Sequence, residues 1–249
     1  MTIALALAAG AFIGSVLGFV GAGGAMVSVP ILLYVFHFSN EQATIAALAV
    51  VFLSAVAGLL PKFRTGEVLV RESVSIWAIG LVTTISMTAF AKQIHVNVLH
   101  TGFSAVLIGA GYSMLKGPLK ANPERRMPLP VLILVSLLIG TLTGLFGIGG
   151  GFLAIPVLVL FYNTPQNKAA GTSLLIIAMN CLTSFMVRYK SWHIVDWKIP
   201  LIISGVAIVV SLFASHNATR VPVKTLRKSF AYLLFSLALF TLARTWIFA

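Results

Sequence analysis

The sequence predicts an all-α fold: a polytopic transmembrane helical bundle made of two repeats, which we expect to be inverted. Three observations predict it: too few charges for a soluble surface, apolar blocks of membrane-spanning length, and an internal repeat. Apolar residues make up 59% of the 249 residues and charged residues 9%, against about 25% charged in soluble domains. From Met1 to Pro61 the only charged side chain is Glu41. We therefore expect a multi-pass protein of a bacterial-type cytoplasmic membrane, surrounded by the lipid bilayer.

The apolar blocks give the elements in order. A hydrocarbon core of about 30 Å needs roughly 20 residues per spanning helix, and eight blocks approach that length. They lie at 2–20, 43–60, 74–91, 97–115, 129–146, 168–187, 199–214 and 227–248. Two shorter blocks, 25–36 and 151–162, follow glycine clusters. A helix of that length covers only about 18 Å, so each is expected to be a half-helix, a re-entrant segment or part of a broken span.

The chain contains an internal duplication. A shift of 126 residues aligns the two halves without gaps and places five glycines and a proline on identical residues. Gly14, Gly18, Gly21, Gly23, Gly24 and Pro30 fall on Gly140, Gly144, Gly147, Gly149, Gly150 and Pro156. We therefore predict a first transmembrane repeat at 1–115, a basic connecting loop at 116–128 and a second repeat at 129–249.

The basic residues indicate topology rather than nucleic-acid binding, although the net charge is +12. They lie in short clusters between apolar blocks, as the positive-inside rule expects of cytoplasmic loops. If each half crosses five times, the halves are oppositely oriented and twelve of the seventeen Lys and Arg residues share one side. Four crossings per half would give parallel repeats and an eleven-to-six division. The charges therefore favour inverted repeats, with both termini outside.

The two glycine-rich breaks predict a binding site. Gly14/Gly18 and Gly140/Gly144 have the spacing of close helix packing. Clustered glycines suit an unwound point instead, and the N-terminus of the half-helix that follows attracts anions. Paired breaks of this kind point to a transporter's substrate site; the alternative is a purely structural break. The substrate-binding candidates here are Gly21, Gly23, Gly24, Gly147, Gly149, Gly150 and Gly151.

Polar residues downstream of each break extend the predicted site. These candidates are Thr44, Lys168, Thr172, Ser173 and Asn180. The hydroxyls could face a central cavity, or they could bond back to their own helix. A buried Asn in an apolar block marks either a helix interface or a ligand contact.

The basic pairs Lys62/Arg64 and Arg188/Lys190 occupy equivalent repeat positions. The leading interpretation is that they anchor the helix ends at the membrane interface. The alternative is that they form an electropositive opening that concentrates anions. We interpret Glu41 as a solvated carboxylate in a loop; the alternative is that this carboxylate couples transport to protons. We predict no catalytic residue, metal site or cofactor, because the sequence has no nucleophile motif, zinc spacing or P-loop. The chain is therefore not expected to be an enzyme.

These residues resemble a known family. The two G-x-x-G-x-G-G-[GA] segments ending in Pro, the motif K-A-A-G-T-S-L at 168–174 and R-Y-K-S-W…D-W at 188–197 resemble the sulfite exporter TauE/SafE family. The first copy is degenerate, since Ala25 replaces the third glycine. The resemblance implies a secondary transporter of sulfite, sulfoacetate or related sulfur-containing or organic anions, often outward. It also implies that the glycine breaks and the A-G-T-S segment line the anion path.

The function expected from the sequence is therefore anion transport by alternating access, with export favoured. An anion channel that uses the glycine-rich breaks as a filter is the alternative. A coupling proton or ion and an oligomeric assembly both remain open at this point.

Overall fold

The computed structural model describes residues 2–116, 129–146, 154–155, 158, 166–218 and 221–246, and the long elements within these ranges are all helices. The helices are α1 (Thr2–Val20), α2 (Gly24–Tyr34), α3 (Asn40–Arg64), α4 (Val70–Phe90), α5 (Val96–Lys116), α6 (Leu129–Phe146), α7 (Gln166–Val187), α8 (Lys198–Asn217) and α9 (Val223–Trp246). Short 3₁₀ helices follow α4 at Ala91–Gln93 and α7 at Tyr189–Ile194. The all-α prediction is confirmed.

The helices have the lengths and surfaces of membrane spans. Within the described residues eight helices, all but α2, are long and apolar enough to cross a membrane, and they coincide with the eight predicted blocks. Large apolar side chains such as Val82, Phe213 and Leu239 are about 70% exposed on the outside of the bundle. Buried Ser and Thr side chains lie inside it. A bilayer is the solvent that suits this distribution.

The first glycine break reverses the chain. Gly21 and Gly23 have φ angles of +75° and +84°, in the left-handed region that glycine adopts without steric cost. Gly24, the first residue of α2, packs against the Leu17 side chain of α1. The 11-residue α2 is about 16 Å long, and it returns toward the face where α1 begins. The corresponding segment 151–162 lies almost wholly outside the described residues.

Close parallel packing joins helices from different halves of the sequence. Along α1, Gly10, Gly14 and Gly18 contact Ile203, Ala207 and Ala214 of α8 in that order. Along α6, Gly140 and Gly144 contact Gly80 and Thr84 of α4. A Cβ on Gly14 would lie 2.6 Å from the Ala207 carbonyl oxygen, so the glycine lets the two backbones approach. The packing role predicted for these glycines is confirmed.

Two other helix pairs run antiparallel. The start of α3 contacts the segment after α7, where Ser191 Oγ donates to Glu41 Oε1 at 2.8 Å. Deeper in α3, Gly58 lies beside Leu174 near the start of α7. Likewise Thr245 at the end of α9 contacts His100 at the start of α5. The antiparallel courses of α3 and α7, and of α5 and α9, agree with inverted repeats, although that relation of the two halves stays a prediction.

These contacts define two faces of the bundle. The face that carries residues 91–95 and the 3₁₀ helix Tyr189–Ile194 is called the upper face. There α3, α5 and α8 begin, and α4, α6, α7 and α9 end. The lower face carries the turn 65–69 between α3 and α4, together with the start of α7.

Candidate anion-binding cavity

A cavity of about 390 Å³ lies inside the upper half of the bundle. Its polar lining comes from residues on α3, α4, α5 and the end of α7: Asn40, Glu41, Thr44, Thr88, His100 and Arg188. Its apolar lining is Val29, Ala91, Ile94, Leu99, Phe103, Leu145 and Phe146. Asn40 and Glu41 are exposed, so the cavity reaches the upper face. Its volume suits a small organic molecule.

Arg188 supplies the positive charge of the cavity. The residue directly follows α7, and the guanidinium donates to the Ser184 carbonyl at 3.3 Å and to the Gly144 carbonyl at 3.5 Å. Both carbonyls belong to the last turns of helices, α7 and α6, whose negative dipole ends favour a cation. A guanidinium has five N–H donors, and these two long hydrogen bonds leave the others available.

The guanidinium remains charged at neutral pH. Burial lowers the pKa of Arg188 to about 10, and the nearby Glu41 carboxylate opposes that shift. Within the described residues the only Lys or Arg nitrogen within 4 Å of a carboxylate oxygen is Lys62 Nζ, which pairs with Glu67. Arg188 is therefore a partly buried cation that can accept an anionic ligand in the cavity.

The start of α3 is fixed at the mouth of the cavity. Ser39 Oγ accepts from the Gln42 amide at 3.4 Å, and the Gln42 side chain accepts from the Ser39 amide at 3.0 Å, which forms a capping box. Gln42 Nε2 also donates to the Ile194 carbonyl at 2.7 Å. Together with the Ser191–Glu41 hydrogen bond, these contacts hold α3 against the 3₁₀ helix that follows Arg188.

Of the residues predicted from the sequence to bind substrate, Thr44 lines this cavity. Its Oγ1 donates to the Asn40 carbonyl of its own helix at 2.8 Å, so the hydroxyl bonds back to the helix backbone. The Thr44 side chain nevertheless forms part of the cavity wall. Gly21, Gly23 and Gly24 do not line it. They are buried in close packing, since a Cβ on Gly21 would lie 2.6 Å from Ala170 Cβ.

The candidates on α7 lie toward the lower face. Thr172 is fully buried; its Oγ1 donates to the Lys168 carbonyl at 2.7 Å and accepts from the Leu69 amide at 3.0 Å. Ser173 and Asn180 are buried and Lys168 is partly exposed. The fold brings the first glycine break and the start of α7 together, through Gly21 and Ala170. Gly147, Gly149, Gly150 and Gly151 lie outside the described residues.

Sequence reasoning did not place His100 or Thr88 in the site and gave Arg188 the binding role only as an alternative. His100 and Thr88 sit singly in apolar blocks, so no pattern marks them. Arg188 carried a usable signal, because the repeat places a second basic residue, Lys62, at the equivalent position of the other half.

Comparison with known proteins gives one family. Residues 6–241 match the family model described as Sulfite exporter TauE/SafE. A probable membrane transporter protein of Xylella fastidiosa (strain 9a5c) is 28% identical over 257 residues, which cover 98% of this chain and 97% of the relative. The probable membrane transporter protein YunE of Bacillus subtilis (strain 168) is 26% identical over 232 residues, 81% of this chain and 83% of that protein. The probable membrane transporter protein YdhB of the same organism is 34% identical over 117 residues, 47% of each chain. No solved structure matches the chain.

Proposed function

The chain belongs to the sulfite exporter TauE/SafE family, as its motifs suggested, and from this premise we propose that it moves a small anion across the cytoplasmic membrane by alternating access. The protein is a multi-pass membrane transporter. Sulfite, sulfoacetate and related sulfur-containing or organic anions are the proposed substrates. Export is the proposed direction, with a proton or another ion as the coupling partner.

One observation carries the proposal: a partly buried, charged Arg188 faces a cavity large enough for an organic anion. The cavity also presents hydroxyl, amide and imidazole groups from Thr44, Thr88, Asn40 and His100, and the Glu41 carboxylate lies at its mouth. These groups would hydrogen-bond the oxygens of a sulfonate or carboxylate while the guanidinium neutralises its charge. The apolar wall would contact the carbon part of an organic substrate.

The packing of the turn 65–69 on the start of α7, at the lower face, supports alternating access. While the cavity reaches the upper face, the turn 65–69 packs on the start of α7, where Gly171 contacts the Glu67 carbonyl and Leu69 donates to Thr172. A cavity that reaches the upper face, together with this packed layer among the described residues of the lower face, agrees with one end state of a transporter. A continuous channel would need a path through this packed layer.

We assign the predicted binding residues to the path beyond the cavity. The first glycine break faces the start of α7 and would form one side of that path, and we propose that the second break forms the other side. The contact of Gly21 with Ala170 supports this for the first break. An anion moving on from Arg188 along α7 would then meet Asn180 first, followed by Ser173, Thr172 and Lys168 near the lower face.

The proposed orientation follows from charge. The loops that hold twelve of the seventeen Lys and Arg residues belong to the lower face under the inverted topology, so we assign that face to the cytoplasm. The cavity in this structure then opens to the outside.

The deciding experiment is transport by the purified protein in liposomes. Sulfite, sulfoacetate and a series of alkyl and aryl sulfonates and carboxylates would be tested as radiolabelled substrates, with and without a proton gradient. The proposal predicts saturable transport and accelerated exchange when unlabelled anion is loaded on the opposite side. Single-channel currents without such counterflow would favour the channel, and no transport of any anion tested would refute the proposal.

A further inference from the structure

A second buried basic residue occupies the position equivalent to Arg188. Lys62 and Arg188 are 126 residues apart, the repeat distance, and lie at the ends of α3 and α7. Because these helices run antiparallel, the two cations lie at opposite faces of the bundle. Lys62 is only 2% exposed. A buried lysine is rare unless it has a partner.

The partner of Lys62 is supplied by the turn that follows it. Lys62 Nζ lies 3.2 Å from Glu67 Oε2, and the Glu67 amide donates to the Lys62 carbonyl at 2.9 Å. Gly66 has a φ of +70°, which lets the turn bring the glutamate back onto the lysine. Glu67 keeps 21% of its side chain exposed, so its carboxylate comes from the solvent side.

Among the described residues of the upper face, the turn after α7 does not supply a carboxylate at the equivalent position. The repeat position that corresponds to Glu67 is His193, which is exposed. Arg188 faces an open cavity, whereas Lys62 is sealed under its own carboxylate. The two cations thus differ in how their carboxylate is placed: Glu67 pairs directly with the buried Lys62, whereas Glu41 lies near Arg188 in an open cavity. A carboxylate carries the same charge and acceptor oxygens as the anionic group of the proposed substrate.

The turn that carries Glu67 also covers the start of α7. The Glu67 carbonyl contacts Gly171, the Leu69 amide donates to Thr172 Oγ1, and Ser73 Oγ donates to the Thr172 carbonyl at 3.3 Å. Any movement that opens the lower face between α3 and α7 must lift this turn. The same movement would uncover Lys62 together with the A-G-T-S segment.

From this arrangement we infer that Lys62 is the anion-binding group of the lower face, and that Glu67 is an internal counter-anion which the substrate displaces. The inference rests on the proposed transport function and adds to it a second binding site of the same ligand chemistry, a sulfonate or carboxylate. Each face thereby has one basic residue at the same repeat position. In this structure Arg188 faces the open cavity with Glu41 nearby, and Lys62 is paired directly with Glu67.

The test measures the apparent KM separately at each face. Right-side-out and inside-out membrane vesicles present opposite faces to the same labelled anion, chosen as one that the wild type transports. The variants are Lys62→Gln, Glu67→Gln and the double variant of both. Arg64→Gln is the matched control, because Arg64 is an exposed basic residue two positions from Lys62.

We expect Lys62→Gln to raise the KM at the lower face tenfold or more and to change it less than twofold at the upper face. Glu67→Gln removes the competitor and should lower the lower-face KM several-fold. The double variant leaves no unpaired buried charge, so it should fold and insert into the membrane like the wild type. Its KM at the lower face should nevertheless be as high as that of Lys62→Gln, because the cation that binds the anion is missing. The Arg64→Gln control should match the wild type at both faces.

Other outcomes would overturn the inference. A double variant that transports like the wild type at both faces would show that the ion pair is only structural. Equal KM changes at the two faces in Lys62→Gln would do the same. If the wild type moves none of the anions, the proposed function itself fails, and that result differs plainly from transport without side-specific effects.

Discussion

Replacing Arg188 by glutamine tests the cavity as the substrate site. The change removes the cation that faces the cavity and leaves a neutral side chain that can still hydrogen-bond the Ser184 carbonyl. A hydrogen bond to a charged group is worth about 1.5–3 kcal/mol, and about 1.4 kcal/mol corresponds to tenfold in affinity. Because Arg188 is only partly buried, water screens the interaction and the lower end applies. We expect the KM to rise about tenfold, and not more than about a hundredfold.

The assay is initial-rate uptake into liposomes at several anion concentrations, with protein amount normalised to the reconstituted fraction. Lys190→Gln is the matched control, because Lys190 carries the same charge two residues away but is exposed and does not line the cavity. Arg188→Lys should give an intermediate KM, since the ammonium keeps the charge and loses the planar fork. A glutamine variant with the wild-type KM would refute the assignment of Arg188 to the site.

Three further predictions follow from the same structure. Arg188→His should transport a sulfonate with a lower KM at pH 5.5 than at pH 7.5, because histidine is cationic only below a pKa of about 6.5. The wild-type Arg188, with a pKa of about 10, keeps its charge at both pH values, so the KM should depend on pH more strongly in the variant than in the wild type; equal pH dependence in the two proteins would contradict this. Gly14→Ala should destabilise the protein by about 1–3 kcal/mol through overpacking and so lower its melting temperature in detergent. Gly205→Ala is the control, because a Cβ there meets open space. Equal melting temperatures for the two variants would count against the close contact at Gly14. Thr172→Val removes the acceptor of the Leu69 amide. Loss of a hydrogen bond worth about 1 kcal/mol should speed hydrogen exchange at that amide roughly fivefold. Unaltered exchange would show that this hydrogen bond does not hold the turn.

The sequence was sufficient for the helices but not for their partners. Spanning helices are set by local hydrophobicity and length, which is why all eight blocks were placed. The spacing of Gly14 and Gly18 likewise predicted close packing. It could not identify α8 as the neighbour, because a glycine pair presents the same smooth surface to any helix, and the choice depends on the whole bundle.

The candidate site was less predictable for a physical reason. Its lining comes from α2, α3, α4, α5, α6 and the end of α7, and no local pattern links side chains so far apart in sequence. Thr44 was predicted because it is a hydroxyl residue one turn inside the helix that follows the first glycine break. Arg188 was read mainly as an interfacial anchor, since a basic residue at a helix end usually has that role. Only the packing around it reveals the cavity that it faces.

The same packing suggests which parts of the transporter move. Close contacts join α1 and α3 of the first half to α8 of the second, through the glycines of α1 and through Ser211 Oγ, which donates to the Ser54 carbonyl at 2.9 Å. In the same way α4 packs on α6 and α7. The cavity lies between these two groups, and α3 also packs on α7 across their boundary. If the groups move as rigid units in an alternating-access cycle, each with one helix from the opposite repeat, the α3–α7 contact is the one that must change.

On that mechanism the connections after α3 and α7 are the hinges, because each passes from one group to the other directly after Lys62 or Arg188. Anion binding at either cation would therefore act on a hinge. A disulfide engineered between α1 and α8 should leave liposome transport intact, since these helices stay together, whereas one between α3 and α7 should stop transport until it is reduced. If the α1–α8 cross-link also abolished transport, and reduction restored it, the moving units would be the sequence halves and this division would be wrong.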